Sequence, residues 1–295
     1  MSTLSPRSGA QFVSGIGDLP VLSAVSAELL RILETDDVQT RKVLMLLSQD
    51  PILSAKVVHL ANSTFYGGLS SARLDQALMR IGFKELRNMA LTSAVMEAFP
   101  DLGPGFNLRS YWQHCIASGM ASHLVARAAP VLTEAERSSM EGGFYMCGLL
   151  HHLGILLHAL YEPGPFRECL EACSRDGQVL WQAERRILGF DHSESGACLL
   201  ERWAFPATVR NAVRFHHQPE SAPEPERFTA RVLHVSAMLC HGILGEQASY
   251  EGHVEGFDEE AWFGLGFQSS DMEAMHAGVQ KAVQSSEQLV QELFS

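Results

Sequence analysis

Thirteen of the 295 residues are histidine, and where they stand points to coordination chemistry. His114 follows Tyr111-Trp112, and His151 and His152 stand side by side in Gly148-Leu-Leu-His-His-Leu-Gly154. His192 follows Gly189-Phe-Asp191, and His216 and His217 form a second pair. Imidazole is the commonest nitrogen ligand for zinc, iron, nickel or manganese, and helical bundles build metal sites from inward-facing residues on several helices. Taken singly, each histidine is better explained as a packed or surface residue. Four groups within one stretch of the chain are harder to explain that way. Other candidates are weaker. Cys147 and His151 stand four apart, as a Cys-His nucleophile could, but a core cysteine in an apolar helix explains the pair better. Gly15-Ile-Gly17 lacks the preceding strand and third glycine of a dinucleotide loop.

Ligands from distant positions need rigid elements to aim them, and the apolar periodicity is helical throughout. Val21, Leu22, Val25, Leu29, Ile32 and Leu33 recur at spacings of three and four after Leu19-Pro20, up to Asp36-Asp37. Val43, Leu44, Leu46 and Leu47 mark a second helix, and Asp50 caps a third that Pro51 opens. Asn62-Ser63 and Gly67-Gly68 predict a loop, and Gly82 separates helices around Leu74–Ile81 and Lys84–Phe99. Asp101-Leu-Gly-Pro-Gly105 is the clearest internal boundary. Beyond it the pattern predicts helices around Ser110–Arg127, Phe144–Tyr161, Pro165–Ser174, Val179–Leu188, Ser193–Trp203, Ala207–His216 and Phe228–Leu244. A flexible acidic connector from Gly245 to Gly256 then leads to an amphipathic helix carrying Met272, Met275, Val279, Val283, Val290 and Leu293. No strand is expected. The fold class is all-α, a multi-helix bundle: a polar leader over 1–14, an N-terminal helical subdomain over 15–100, a second over 105–245, and the C-terminal amphipathic helix within 257–295.

Bulk properties narrow the function. Asp+Glu number 34 against 22 Lys+Arg, a net charge of −12, and such a surface repels nucleic-acid phosphates and anionic lipid. Arg80, Lys84 and Arg87 could form only a small basic patch, so neither nucleic acid nor membrane is an expected partner. No uninterrupted apolar run approaches the roughly 20 residues that cross a bilayer. Met1 to Gly17 lacks the pattern of a signal peptide. The six cysteines stand in apolar helical surroundings without a CxxC, as buried thiols do in a reducing compartment. The expected location is the cytoplasm.

Several short motifs, in order, carry a family resemblance. They are Leu19-Pro-Val-Leu22, Asp50-Pro-Ile-Leu-Ser-Ala-Lys-Val-Val58, Ala61-Asn-Ser63, Phe65-Tyr-Gly67, Ala77-Leu-Met-Arg-Ile-Gly82 and Trp112-Gln-His114. They continue with Gly148–Gly154, Glu184, Gly189-Phe-Asp-His-Ser-Glu-Ser-Gly-Ala197, Trp203, Phe205-Pro206 and His216-His217. Over residues 15–220 the chain resembles the HDOD family, a bacterial regulatory relative of the HD and HD-GYP metal-dependent phosphohydrolases. The resemblance implies His114, His151, His152, His192, His216 and His217 as candidate ligands of one divalent transition metal (Fe, Zn, Mn or Ni).

Two departures from the HD pattern matter. The aspartate of the His-Asp pair is His152 here, and the late aspartate falls near Ser236-Ala237, where no carboxylate stands. A binuclear hydrolase holds its ions about 3.5–4 Å apart with bridging carboxylate and hydroxide, which offset the repulsion between dications. Imidazole supplies no such charge. The stretch after His217 reads Gln218-Pro-Glu-Ser-Ala rather than Gly-Tyr-Pro, against cyclic-di-GMP phosphodiesterase activity. The resemblance therefore implies a stand-alone, non-catalytic signalling module with no catalytic residue and no organic cofactor site. Its partners are expected among two-component or cyclic-dinucleotide signalling proteins, with a small-molecule ligand possible. The alternative is a metal-dependent phosphohydrolase using the retained histidines.

Overall fold

The structure, a computed structural model, describes residues 7–33, 39–62, 73–99, 102, 106–134, 143–245 and 257–293. Asp36-Asp37, Ser63, the Phe65-Tyr-Gly67 motif, Gly67-Gly68, most of the Asp101–Gly105 boundary and residues 246–256 of the expected connector lie outside these. The chain forms two compact units: residues 1–19 with 101–286, and residues 20–100 with 287–295. Among the described residues there is no strand, as the periodicity predicts.

Helix α1 (Gly9–Gly15) belongs to the larger unit, within the stretch expected to be a polar leader. Ser8 and Gln11 cap it reciprocally, and Phe12 and Val13 are buried. Two apolar residues in a short polar run were too faint a signal to read as a helix.

The smaller unit contains α2 (Ala24–Leu33), α3 (Thr40–Leu47), α4 (Pro51–Asn62) and α5 (Leu74–Ala98). The first of these begins later than the apolar pattern predicts. Ser23 Oγ accepts the Ser26 N–H at 3.1 Å, and Val21, ahead of this turn, is 73% exposed. Asp50 Oδ1 accepts the Leu53 N–H at 2.9 Å, which is the cap expected before Pro51. Gly82 breaks α5 with φ 78° and ψ 167°, a conformation only glycine adopts without strain, so the expected helix boundary is present as a kink. Leu29, Val43, Leu47, Leu53, Val57, Leu78, Leu86 and Met89 form its core.

In the larger unit α6 (Leu108–Ala128) is followed by α7 (Gly143–Leu150) and α8 (Leu153–Tyr161). The expected single helix over 144–161 is thus two, broken at His151-His152. The 19-residue stretch Gly143–Tyr161 is long and apolar enough by composition to cross a bilayer, contrary to the sequence expectation, but 83% of its most apolar 18 residues are buried inside the fold. Two glycines explain the break. A Cβ on Gly148 would stand 2.4 Å from the backbone of Ser118 and Gly119 on α6. A Cβ on Gly154 would stand 2.0 Å from the His192 carbonyl oxygen. Each half of the stretch is therefore pressed against a different helix, and the turn between them carries the histidine pair.

The unit continues with α9 (Pro163–Asp176), α10 (Leu180–Ile187), α11 (His192–Arg202) and α12 (Ala207–Phe215). After these come α13 (Glu224–Leu244), α14 (Glu259–Gly264) and α15 (Met272–Leu293), whose last turns cluster with the smaller unit. The start of α13 precedes the expected Phe228, because Pro225 fits a first helical turn where no N–H is needed. The expected amphipathic helix is α15, with Met275, Val279 and Val283 buried. The preceding α14, built around buried Trp262, was not expected.

Candidate metal centre

The six candidate histidines come from four places in the larger unit. His114 lies in the second turn of α6, His151 and His152 form the turn between α7 and α8, and His192 is the first residue of α11. His216 and His217 follow the end of α12. All but half-buried His217 are buried.

Their ring nitrogens converge. His114, His151 and His152 each offer one ligand atom within 4.8 Å of the others, and so do His152, His192 and His216. His152 thus stands in both groups, stacked on His114 at 5.2 Å between ring centroids and edge-on to His192 at 5.1 Å. His217 is in neither group, but its Nε2 lies 2.9 Å from His192 Nε2.

Hydrogen bonds at the far side of the rings decide which nitrogen faces inward. His151 Nδ1 donates to the Gly148 carbonyl at 2.7 Å, and His216 Nδ1 donates to the Val213 carbonyl at 2.7 Å. A carbonyl only accepts, so each Nδ1 carries a proton, and the Nε2 of each ring is the nitrogen turned into the pocket. His192 Nδ1 donates to Glu184 Oε2 at 2.7 Å, to the same effect. Metal-binding histidines are held in this way, through the nitrogen that does not bind the ion. Among the described residues, the buried His216 Nε2 has no hydrogen-bond partner. Such an orphan costs about 1–3 kcal/mol, a cost that an ion in the pocket offsets. Burial, and then the neighbouring imidazoles of His217, His151, His192 and His152, hold the His216 pKa well below its ordinary value. It is a neutral imidazole at physiological pH. The residues present fit one divalent ion.

Among the described residues neither group includes an acid. Near the expected late aspartate, Ser236 Oγ donates to the Val232 carbonyl of its own helix at 2.7 Å. Helix α13 instead presents His234, whose Nδ1 donates to the His216 carbonyl at 2.7 Å, and His241, 6.3 Å from the His114 ring. Burial pushes the Cys147 thiol up to about 12, so this residue is the core cysteine that its apolar helix suggests.

Glu184, His158 and Ser195 were not recognised as part of the site. Glu184 Oε1 accepts from His158 Nδ1 at 2.9 Å, and His158 Nε2 accepts from Ser195 Oγ at 2.9 Å. Burial by itself would raise the Glu184 carboxyl, but His192 and His158 outweigh it and hold it well below the usual carboxylate range. A signal existed: Leu180, Trp181 and Glu184 share one face of α10, so the acid falls on the buried side. Next to it Asp191 caps α11, accepting the Glu194 N–H at 2.9 Å and pairing with Arg185 at 2.6 Å. Trp181 stacks on His217 with 5.6 Å between centroids, and the Arg185 guanidinium lies 4.7 Å from the indole.

Known proteins resemble this chain in sequence or in fold. A Treponema pallidum (strain Nichols) protein named only "Uncharacterized protein" is 28% identical over 260 residues. The match covers 83% of this chain and 47% of the Treponema protein, so the chain spans about half the length of that curated relative. The crystal structure of an HDOD domain protein of unknown function from Geobacter sulfurreducens superposes with a TM-score of 0.78 at 24% identity, covering 97% of both chains. A Shewanella amazonensis SB2B protein named "Putative phosphohydrolase" superposes with a TM-score of 0.66 at 26% identity, over 95% of this chain and 100% of that one. A family model for the HDOD domain matches residues 19–219, two-thirds of the sequence and nearly the span on which the motifs pointed to it: the chain belongs to the HDOD domain family.

Proposed function

We propose that this protein is a regulatory HDOD module of bacterial signal transduction that works by binding rather than catalysis. In this reading, the pocket holds one divalent transition-metal ion on His152, His192 and His216. His114, His151 and His217 surround that ion. Residues 105–245 form its ion-binding part. Its partners are two-component or cyclic-dinucleotide signalling proteins, or a small signalling ligand.

The observation that carries this reading is the purely imidazole character of both groups. Two dications about 4 Å apart repel by about 16 kcal/mol at an effective dielectric constant of 20. Bridging anions normally offset that repulsion, and neither histidine group brings a carboxylate of its own. One ion on neutral histidines meets no such barrier. The Lewis acid and metal-bound nucleophile of a two-ion phosphodiesterase require the second.

One observation favours a phosphohydrolase as the second reading: the two groups share His152, which keeps the spatial plan of a paired site. The name of the Shewanella relative points the same way. Elemental analysis of the chain purified without a histidine tag, followed by assay against cyclic dinucleotides and nucleotides, tests both. No more than one ion per chain and no turnover are expected. Metal-dependent cleavage of a phosphodiester that is lost in His151→Ala would overturn the regulatory reading.

A further inference from the structure

We propose that Glu184 is the positioning residue of the imidazole pocket. Its carboxylate holds His192 in the orientation of a ligand and supplies, one ring removed, the negative charge that the pocket's own residues lack. This rests on the reading that the pocket takes an ion.

The geometry is specific to His192. Glu184 Oε2 accepts both from the His192 backbone N–H at 2.9 Å and from His192 Nδ1 at 2.7 Å. These two bonds fix the start of α11 and the plane of the ring together. His151 Nδ1 and His216 Nδ1 donate to backbone carbonyls, which carry partial charge. His192 Nδ1 is backed instead by a full carboxylate. A divalent ion therefore belongs with His152, His192 and His216 rather than with His114, His151 and His152.

Glu184 is itself fixed from behind. Its Oε1 takes the proton of His158 Nδ1 at 2.9 Å, and His158 Nε2 accepts from Ser195 Oγ. The Phe12 ring of α1 lies edge-on to His158 at 5.7 Å and stacks on Phe190 at 4.9 Å. Glu184, His158 and Ser195 are all 0% exposed, so the carboxylate acts in a dry environment where its charge is little screened. The order serine, histidine, glutamate is also that of a hydrolase triad, but the surroundings exclude this role. A Cβ on Gly154 would already stand 2.5 Å from Ser195 Oγ, which leaves no space there for a substrate carbonyl. The network is a support for His192.

Glu184→Gln separates charge from shape. The amide oxygen can still accept from His192, and the amide N–H can donate to His158 in its other tautomer, so the fold should persist by far-UV circular dichroism. The tag-free apo chain is titrated with Co2+, followed by visible absorption and elemental stoichiometry. The wild-type chain is expected to take one ion, and Glu184→Gln to bind it about 10- to 100-fold more weakly with a changed visible spectrum. Equal affinity and an unchanged spectrum would overturn the role of Glu184. A wild-type chain that takes up no Co2+ would overturn the ion reading itself. If Glu184→Gln does not fold, the wild-type chain still decides by NMR. The His192 Nδ1 proton, donated to a carboxylate, should shift when Zn2+ binds; a bound ion that leaves it unmoved would overturn the proposal.

Discussion

Gly154→Ala tests how α8 and α11 hold the pocket together. The added Cβ would lie 2.0 Å from the His192 carbonyl oxygen and 2.5 Å from Ser195 Oγ, whereas ordinary contact begins at 3.4 Å. The backbone must yield by about 1.4 Å, the difference between the first and last of these distances. The nearest atom is backbone, so no side-chain rotation relieves the clash. Overpacking of this kind costs about 1–3 kcal/mol, and occasionally more. Alanine's better helix propensity offsets up to about 1 kcal/mol of that. A net loss of about 2 kcal/mol lowers Tm by roughly 4–8 °C in a unit of this size. The same displacement moves His192, and metal–ligand distances tolerate only about 0.2 Å, so ion affinity should fall with stability. Thermal unfolding by circular dichroism, with and without Zn2+, measures both. Gly164→Ala is the control, because its Cβ would meet nothing within 4 Å. A Tm for Gly154→Ala equal to or above wild type would refute the reasoning, since propensity would then outweigh a contact too loose to matter.

His152→Asp places a carboxylate at the position common to both histidine groups, and the ion stoichiometry should rise above one per chain in Mn2+ or Fe2+ by elemental analysis. An unchanged stoichiometry would show that missing charge is not what limits the site. Stability should fall with acid in a definite window. Because the folded His216 pKa lies well below the ordinary 6.5, the unfolded chain takes up that proton first, so the contribution is intact above about pH 6.5 and is lost as pH falls toward the folded value. Urea unfolding of wild type and His216→Gln between neutral and mildly acid pH checks it, and the variant should show the shallower slope.

Helices were legible wherever an apolar stripe repeats at helical spacing, as in α3, α4 and α12. What escaped was decided by contacts between segments far apart in sequence. The run over 144–161 reads as one helix because nothing local marks the turn at His151-His152. Only the close approach of Gly148 to α6 and of Gly154 to α11 requires it. The six histidines could be named from the motifs, and the structure brings five of them into two groups and the sixth against His192. The role of Glu184 was hidden, since His192 and His158 reach its carboxylate from separations of 8 and 26 residues. Val21 was misplaced because apolarity counts toward a stripe even where the residue lies outside the helix and exposed.

Helix α1 also bears on how the protein is made. Its seat on α11 begins at His192, about 180 residues after α1 ends at Gly15, with most of the other unit encoded in between. At translation speeds of about 5–20 residues per second, the Phe12 segment waits on the order of 10–40 s before its partner exists. During that delay an apolar side chain destined for the core is open to chaperones and proteases. Nascent chains stalled before residue 192 should therefore be cut near Phe12, and completed chains should resist.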